Sequence, residues 1–208
     1  LIAGMDTGIF HLQPADDGTL ACTLISAVQH PQAGMRFNDG RCDRQGRFWA
    51  GTMVRDMSLA QPAGGLYRQD ARGLSAPQVQ GLVTQNGLAF SPDGATMYLS
   101  DSHPSVQKIW SLDLHEDGSL GPRRLLVDMR ELPGRGVEAK VYGRQVLVGT
   151  EALMRSNGIS CRYADRHQSV VHVAAGGIYY GYIIIDDRVK DGAKDAVREL
   201  YALGIEKT

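Results

Sequence analysis

From the start of the chain to about residue 129, apolar and polar residues alternate over short stretches broken by turn residues. Alternation with period two places apolar side chains on one face of an extended chain, which predicts β-strands. Residues 41–43, a turn at 44–46 and residues 47–50 read as one hairpin. Residues 86–90, a turn at 91–94 and residues 96–99 read as a second. In that turn Pro92 presets φ and Gly94 supplies the positive φ that follows. Residues 108–114 form a further predicted strand, closed by Glu116, Asp117 and Gly118. The two hairpins begin 45 residues apart, about one four-stranded blade of a β-propeller. The pattern predicts no amphipathic helix in this part.

The last third changes period. Residues 137–148 read as a hairpin turning at 142–144, and residues 151–156 as a short helix ending at Asn157 and Gly158. Residues 170–185 read as a second hairpin, turning at Gly176 and Gly177 into a long hydrophobic arm. Residues 190–203 carry the strongest helical pattern. Ala193, Ala196, Val197, Leu200 and Leu203 recur at the spacing of one apolar face, and Gly204 suits the C′ position. Strand, helix, hairpin, helix is an α/β order.

Composition marks the same division. All eight prolines and both tryptophans lie at or before Pro133, whereas six of eight tyrosines and four of five lysines follow it. Residues 1–133 carry 11 basic and 14 acidic side chains, and residues 134–208 carry 11 and 9. The overall net charge of −1 gives no electrostatic case for nucleic acid or an anionic membrane. The apolar run at 178–185 is far short of the ~20 residues of a membrane helix. The opening residues show no signal-peptide pattern. Three widely spaced cysteines, Cys22, Cys42 and Cys161, favour reduced, partly buried thiols over a disulfide framework or a zinc site, and a cytoplasmic location.

Two polar clusters offer chemistry. In the first, Arg36, Asn38 and Asp39 provide a guanidinium fork and hard oxygen atoms; an Asx turn before a strand explains the same residues. In the second, Gln85, Asn86 and Gly87 precede the hairpin that closes at Ser100, Asp101 and Ser102, and a turn-capping Asn86 is again the alternative. The six histidines, His103 and His172 among them, show no ligand spacing. His172 alternates with valines as a strand residue would, and the methionines read as core filler.

Four stretches carry a specific likeness: RFNDGRCDRQGRFWAGTM at 36–53, GGLYRQD at 64–70, QNGLAFSPDGATMYLSDS at 85–102 and IWSLDLHEDGSL at 109–120. In this order they resemble the senescence-marker-protein/gluconolactonase family, also called regucalcin-like. The resemblance implies a six-bladed β-propeller holding one divalent metal, calcium or zinc, and hydrolysis of a sugar lactone. In that family the metal polarises the lactone carbonyl and stabilises the oxyanion formed by water attack. It also implies that Asn86 is a metal ligand, and that Arg36, Asn38 and Asp56 contact the substrate. The family's other two metal ligands, an N-terminal Glu and an Asp that doubles as general base, have no counterpart in this sequence. No intact catalytic residue set is therefore expected, and retention of the metal is not expected.

Residues 132–208 resemble a different family, the cytoplasmic region of a zinc/cadmium-type heavy-metal P-type ATPase, through the stretches at 133–159 and 170–208. That likeness matches Gly134, Gly136 and Gly149 to nucleotide-binding glycines and implies at most weak ATP binding. The phosphate-accepting Asp motif is absent, so phosphoryl transfer and transport are not expected. Asp186 and Asp187 read as helix-start charges. The run from Glu131 to Arg135 fits either family. The expected architecture is mainly β: residues 1–131 as roughly three blades of a propeller, then a small α/β fragment at 132–208. A chimera of two fragments, or a natural fusion, accounts for both likenesses; a third reading is a protein with no selected activity.

Overall fold

The computed structural model describes residues 1–162, 169–185 and 191–202. The chain is mainly β and divides into two compact units: Leu1–Glu131 with Glu138–Gln145, and Leu132–Val137 with Val146–Thr208.

The larger unit is built from antiparallel meanders. Strands β1 (Ile2–Gly4), β2 (Gly8–Pro14) and β3 (Leu20–Ala27) form one sheet in chain order. Strands β4 (Met35–Cys42), β5 (Phe48–Val54), β6 (Gly64–Asp70) and β7 (Gly73–Leu74) form the next, and β8 (Val79–Leu82) also pairs with β6. Strands β9 (Gln85–Phe90), β10 (Thr96–Asp101), β11 (Lys108–Asp113) and β12 (Arg124–Leu132) follow as consecutive neighbours. Asn86 thus lies within β9 rather than ahead of it, because it pairs with Ser100 of β10.

One local device closes four of these hairpins. Asp17, Asp43, Asp93 and Asp117 each accept a backbone N–H from two residues on, at 2.8–3.0 Å for Thr19, Gln45, Ala95 and Ser119. Such Asx turns compete well with regular structure. Gly18, Gly46, Gly94 and Gly118 then take positive φ of 76–82°. The carboxyls of Asp17, Asp93 and Asp117 sit below the ordinary carboxylate range, first because of the hydroxyl of Thr19, Ser91 or Ser119 respectively.

Sheet stacking buries β5 along its whole length. On one side Ile9, Phe37, Phe48, Ala50 and Tyr67 pack together; on the other Trp49, Leu66, Leu82, Leu88, Met97, Leu99 and Leu112 do. A buried polar clamp joins the second and third sheets. The Asp43 carboxylate accepts from Arg47 Nε (2.6 Å) and Trp49 Nε1 (2.8 Å). Burial works to raise its pKa, and the bonds from Trp49 and Arg47 outweigh burial and hold it below the ordinary value. Arg47 Nη1 goes on to the Glu116 carbonyl (2.8 Å), and Arg68 Nη1 to the Gly118 carbonyl (2.5 Å). A β-carbon on Gly118 would fall 2.6–2.7 Å from both guanidiniums.

Strands β13 (Gly136–Val141) and β14 (Arg144–Gly149) carry the chain across the division. In the smaller unit β14 pairs with β15 (Ser169–Ala175), which pairs with β16 (Ile178–Ile185). Helix α1 (Glu151–Ser156) is capped by the Thr150 hydroxyl, which accepts from Leu153 N at 3.3 Å. Leu147, Leu153, Met154, Ile159 and Ala174 make the core. His172 is buried there, 2.8 Å from the Tyr179 hydroxyl.

Helix α2 covers Ala193–Ala202. Of its predicted apolar face, Ala193 is half-buried, whereas Ala196 and Val197 are exposed. Lys190, Leu203 and Gly204, and the acidic pair Asp186 and Asp187, lie outside the described residues. The thiols also differ from expectation: Cys22 and Cys42 are exposed, and among the three only Cys161 is half-buried.

Candidate functional site

The polar residues of the larger unit gather where β4 approaches β9. These two strands share no backbone ladder; side chains stitch them instead. A bulge in β4 between Phe37 and Gly40 turns Asn38 and Asp39 out of register with β5. Asn38 Nδ2 then donates to the Gln85 carbonyl (2.7 Å), and Asp39 Oδ2 accepts from Leu88 N (3.0 Å). This places Asn38 against the residue that precedes Asn86.

Asn86 is exposed, its Oδ1 accepting from Gly87 N (3.0 Å) and its Nδ2 reaching Ser102 Oγ (3.4 Å). Gly87 takes φ +57°, and a β-carbon there would lie 3.1 Å from the Ser100 Cβ. The glycine therefore lets β9 turn its Asn86 side chain outward.

Arg36 lies two positions before Asn38 on β4, ahead of the bulge. Its Nη1 donates to the Phe37 carbonyl (2.9 Å). The side chain borders a cavity of about 430 Å³ shared with Met5, Asp6, Phe10 and Cys22.

Asp56 caps a 3-10 turn over Met57–Leu59. The bonds from Ser58 N (3.0 Å) and Ser58 Oγ (2.6 Å) both fall on its Oδ1. They hold its carboxyl below the ordinary value, the hydroxyl bond contributing most. An ionised, exposed carboxylate with a second oxygen to offer suits sugar hydroxyls.

His103 is the residue that the sequence pattern passed over. It is buried between the loop after β10 and the Asp56 turn, with Nδ1 2.7 Å from Ser105 Oγ and Nε2 3.0 Å from the Met57 carbonyl. The one local signal is a serine two positions on.

The donor set does not fit a hard divalent cation. Such an ion takes six or more oxygens, several of them carboxylate. Around Asn86 the polar neighbours in hydrogen-bond contact are a backbone N–H and one serine hydroxyl. Among the described residues no three His, Cys, Asp or Glu side chains converge.

The three glycines at the chain's division fall in one place. Gly134 (φ +68°) sits in a turn with open space around it. Gly136 and Gly149 face each other: a β-carbon on Gly136 would lie 2.2 Å from the Val148 carbonyl oxygen, and one on Gly149 would lie 2.2 Å from that of Arg135. Arg135 O accepts from Thr150 N at 2.8 Å. Backbone packing alone therefore demands these two glycines.

Stacked antiparallel meanders with polar residues on their first strands define a protein of the β-propeller class. Residues 1–139 match the family described as SMP-30/Gluconolactonase/LRE-like region, and the chain belongs to that family. It is 45% identical over 91 residues to a 6-deoxy-6-sulfogluconolactonase of Pseudomonas putida, covering 44% of this chain and 30% of that protein. It is 31% identical over 131 residues to a zinc-transporting ATPase of Synechocystis sp., covering 63% of this chain and 18% of that protein. This second match is longer than the stretch from Leu132 to Thr208 and so reaches back into the larger unit. Among solved structures, regucalcin of Agrobacterium tumefaciens, titled a calcium-binding protein, shares the fold with a TM-score of 0.52 at 18% identity, covering 90% of this chain and 76% of that one. The chain spans under half the length of the curated relatives it matches. Among the described residues no helix is long and apolar enough to cross a membrane.

Proposed function

We propose that the chain carries the substrate-recognition side of a sugar-lactone hydrolase site. The observation that supports this most directly is the Asn38–Gln85 bond, which joins the Arg36–Asn38 strand to the Asn86 strand. Arg36 and Asn38 would donate to the lactone's ring and hydroxyl oxygens, and Asp56 would accept from a hydroxyl. Asn86 would contribute one oxygen to a divalent metal, calcium or zinc, if further carboxylates were supplied. Roughly three propeller blades at residues 1–131 then lack the groups that complete hydrolysis, and turnover by this chain is negligible. Residues 132–208 are of separate, ATPase-like origin in this reading, which the compositional break at Pro133 supports. A DNA read across codons ~125–145 from an independent source tests the seam; one continuous native read removes the assembled chimera and leaves the natural fusion.

The functional test has two arms. Glucono-1,5-lactam, the cyclic amide analogue of the lactone, which resists hydrolysis, is titrated into the chain while amide shifts are recorded. Shifts centred on residues 36–39, 56–58 and 85–88 are expected; shifts elsewhere, or none, refute the recognition face. Adding the missing blades of a gluconolactonase should restore metal-dependent hydrolysis, and Asn86→Ala should abolish it.

The ATPase match favours a second reading, a weak nucleotide-binding module. Its test is an ATP titration read at Gly134, Gly136 and Gly149.

A further inference from the structure

We propose that His103 is a positioning residue that ties the Asp56 turn to the loop beside Asn86 and so sets the width of the recognition face; this rests on the lactone reading above. His103 is 7% exposed, so both ring nitrogens need partners. The Ser105 backbone N–H can only donate, and it meets Nδ1 at 3.1 Å. Nδ1 is therefore the lone-pair nitrogen. The Met57 carbonyl can only accept, so Nε2 carries the proton and donates to it at 3.0 Å. The partners' chemistry selects the neutral Nε2–H tautomer.

The two bonds do different work. The Nδ1 contacts close a turn within residues 103–105. The Nε2 bond reaches 46 residues back along the chain, to the residue that follows Asp56. On the other side, Ser102 N donates to the Thr84 carbonyl at 2.9 Å, and Ser102 Oγ meets Asn86 Nδ2. Covalent and hydrogen-bonded links thus run from Asp56 through Met57, His103 and Ser102 to Asn86. The 3-10 turn Met57–Leu59 buries none of its own residues. The Asp56 cap lies within the turn itself, so the His103 bond is a long-range tie on it, beside the Arg55 N–Gly34 carbonyl bond (2.8 Å) that holds the chain just before it.

Two substitutions in the full chain separate the bonds. His103→Asn keeps a short acceptor near the Nδ1 position but cannot reach Met57. His103→Gln keeps a donor at the reach of Nε2. Amide exchange at Ser58, Leu59 and Ala60, and affinity for glucono-1,5-lactam, are measured for both. Asn should speed exchange about tenfold and weaken lactam binding about tenfold, with a thermal midpoint within roughly 3 °C of wild type. Gln should stay within about twofold of wild type in both readouts. The proposal is overturned if Asn leaves exchange and affinity unchanged, or if Gln behaves as Asn does. Exchange that separates Asn from Gln, with lactam binding to no form, supports the tie and refutes the lactone reading.

Discussion

In the larger unit β5 is buried from Phe48 to Val54 with apolar clusters on both of its faces, and a charged clamp sits against it. Among the described residues of the smaller unit no strand is buried along its length. One cluster of five buried residues serves that unit, while Ile183, Ile185 and Val197 stand 49–59% exposed. The difference teaches what stacked sheets supply. A strand with a neighbour on each face can bury apolar and paired polar groups together, whereas a single-sided sheet leaves its outer strand wet.

The largest expected effect comes from Trp49, fully buried in the core of the larger unit. Trp49→Ala should cost about 3–5 kcal/mol by denaturant unfolding. Exchange protection at Leu147 and Leu153 should persist when the larger unit has unfolded. If both units lose protection together, the comparison between them breaks.

Asp43→Leu should cost about 3 kcal/mol, because Arg47 and Trp49 lose a buried acceptor. A pH series sharpens this. The folded Asp43 pKa is below its ordinary 3.8, so the carboxyl binds a proton less readily folded than unfolded. Its stabilisation is complete above pH 3.8 and is lost as pH falls through the depressed folded value. Acid unfolding followed by Trp fluorescence should therefore be less steep in Asp43→Leu below that pH.

Gly149→Ala should cost the smaller unit about 2 kcal/mol through backbone collision, against about 1 kcal/mol for Gly134→Ala, where only the positive φ resists. ATP should leave both residues' amide shifts unmoved if packing is their whole role. The smallest effect belongs to the exposed arm. Ile183→Lys should change the thermal stability by less than about 0.5 kcal/mol, and light scattering should fall because the apolar outer strand gains a charge.

Much of the local structure was legible. The turn at Asp93 and Gly94 was readable because an Asx bond and a positive φ both act within a few residues. The hairpins at residues 41–50, 86–99 and 170–185 followed from it. The helix at Glu151–Ser156 was readable from its period and its Asn157–Gly158 end. The candidate site was legible only in part. Asn38 and Asn86 stood out as polar residues beside turns, but their connection through the Gln85 carbonyl did not. His103 showed no spacing to another ligand, since its partner is a backbone carbonyl, which any residue supplies. The apolar positions of α2 were readable as a face; the exposure of Ala196 and Val197 was not, because periodicity shows which side is apolar and not what covers it.

By itself the amino-acid sequence determined strand period, turn chemistry and the change of character near Pro133. These depend on neighbours within a few residues. Only the tertiary structure decided that Arg47 would meet the Glu116 carbonyl, that His103 would meet Met57 and that Gly136 would face Gly149. Those contacts join positions far apart in the chain, and backbone atoms supply one side of each. Backbone atoms are the same at every residue, so side-chain pattern cannot announce where they will be used.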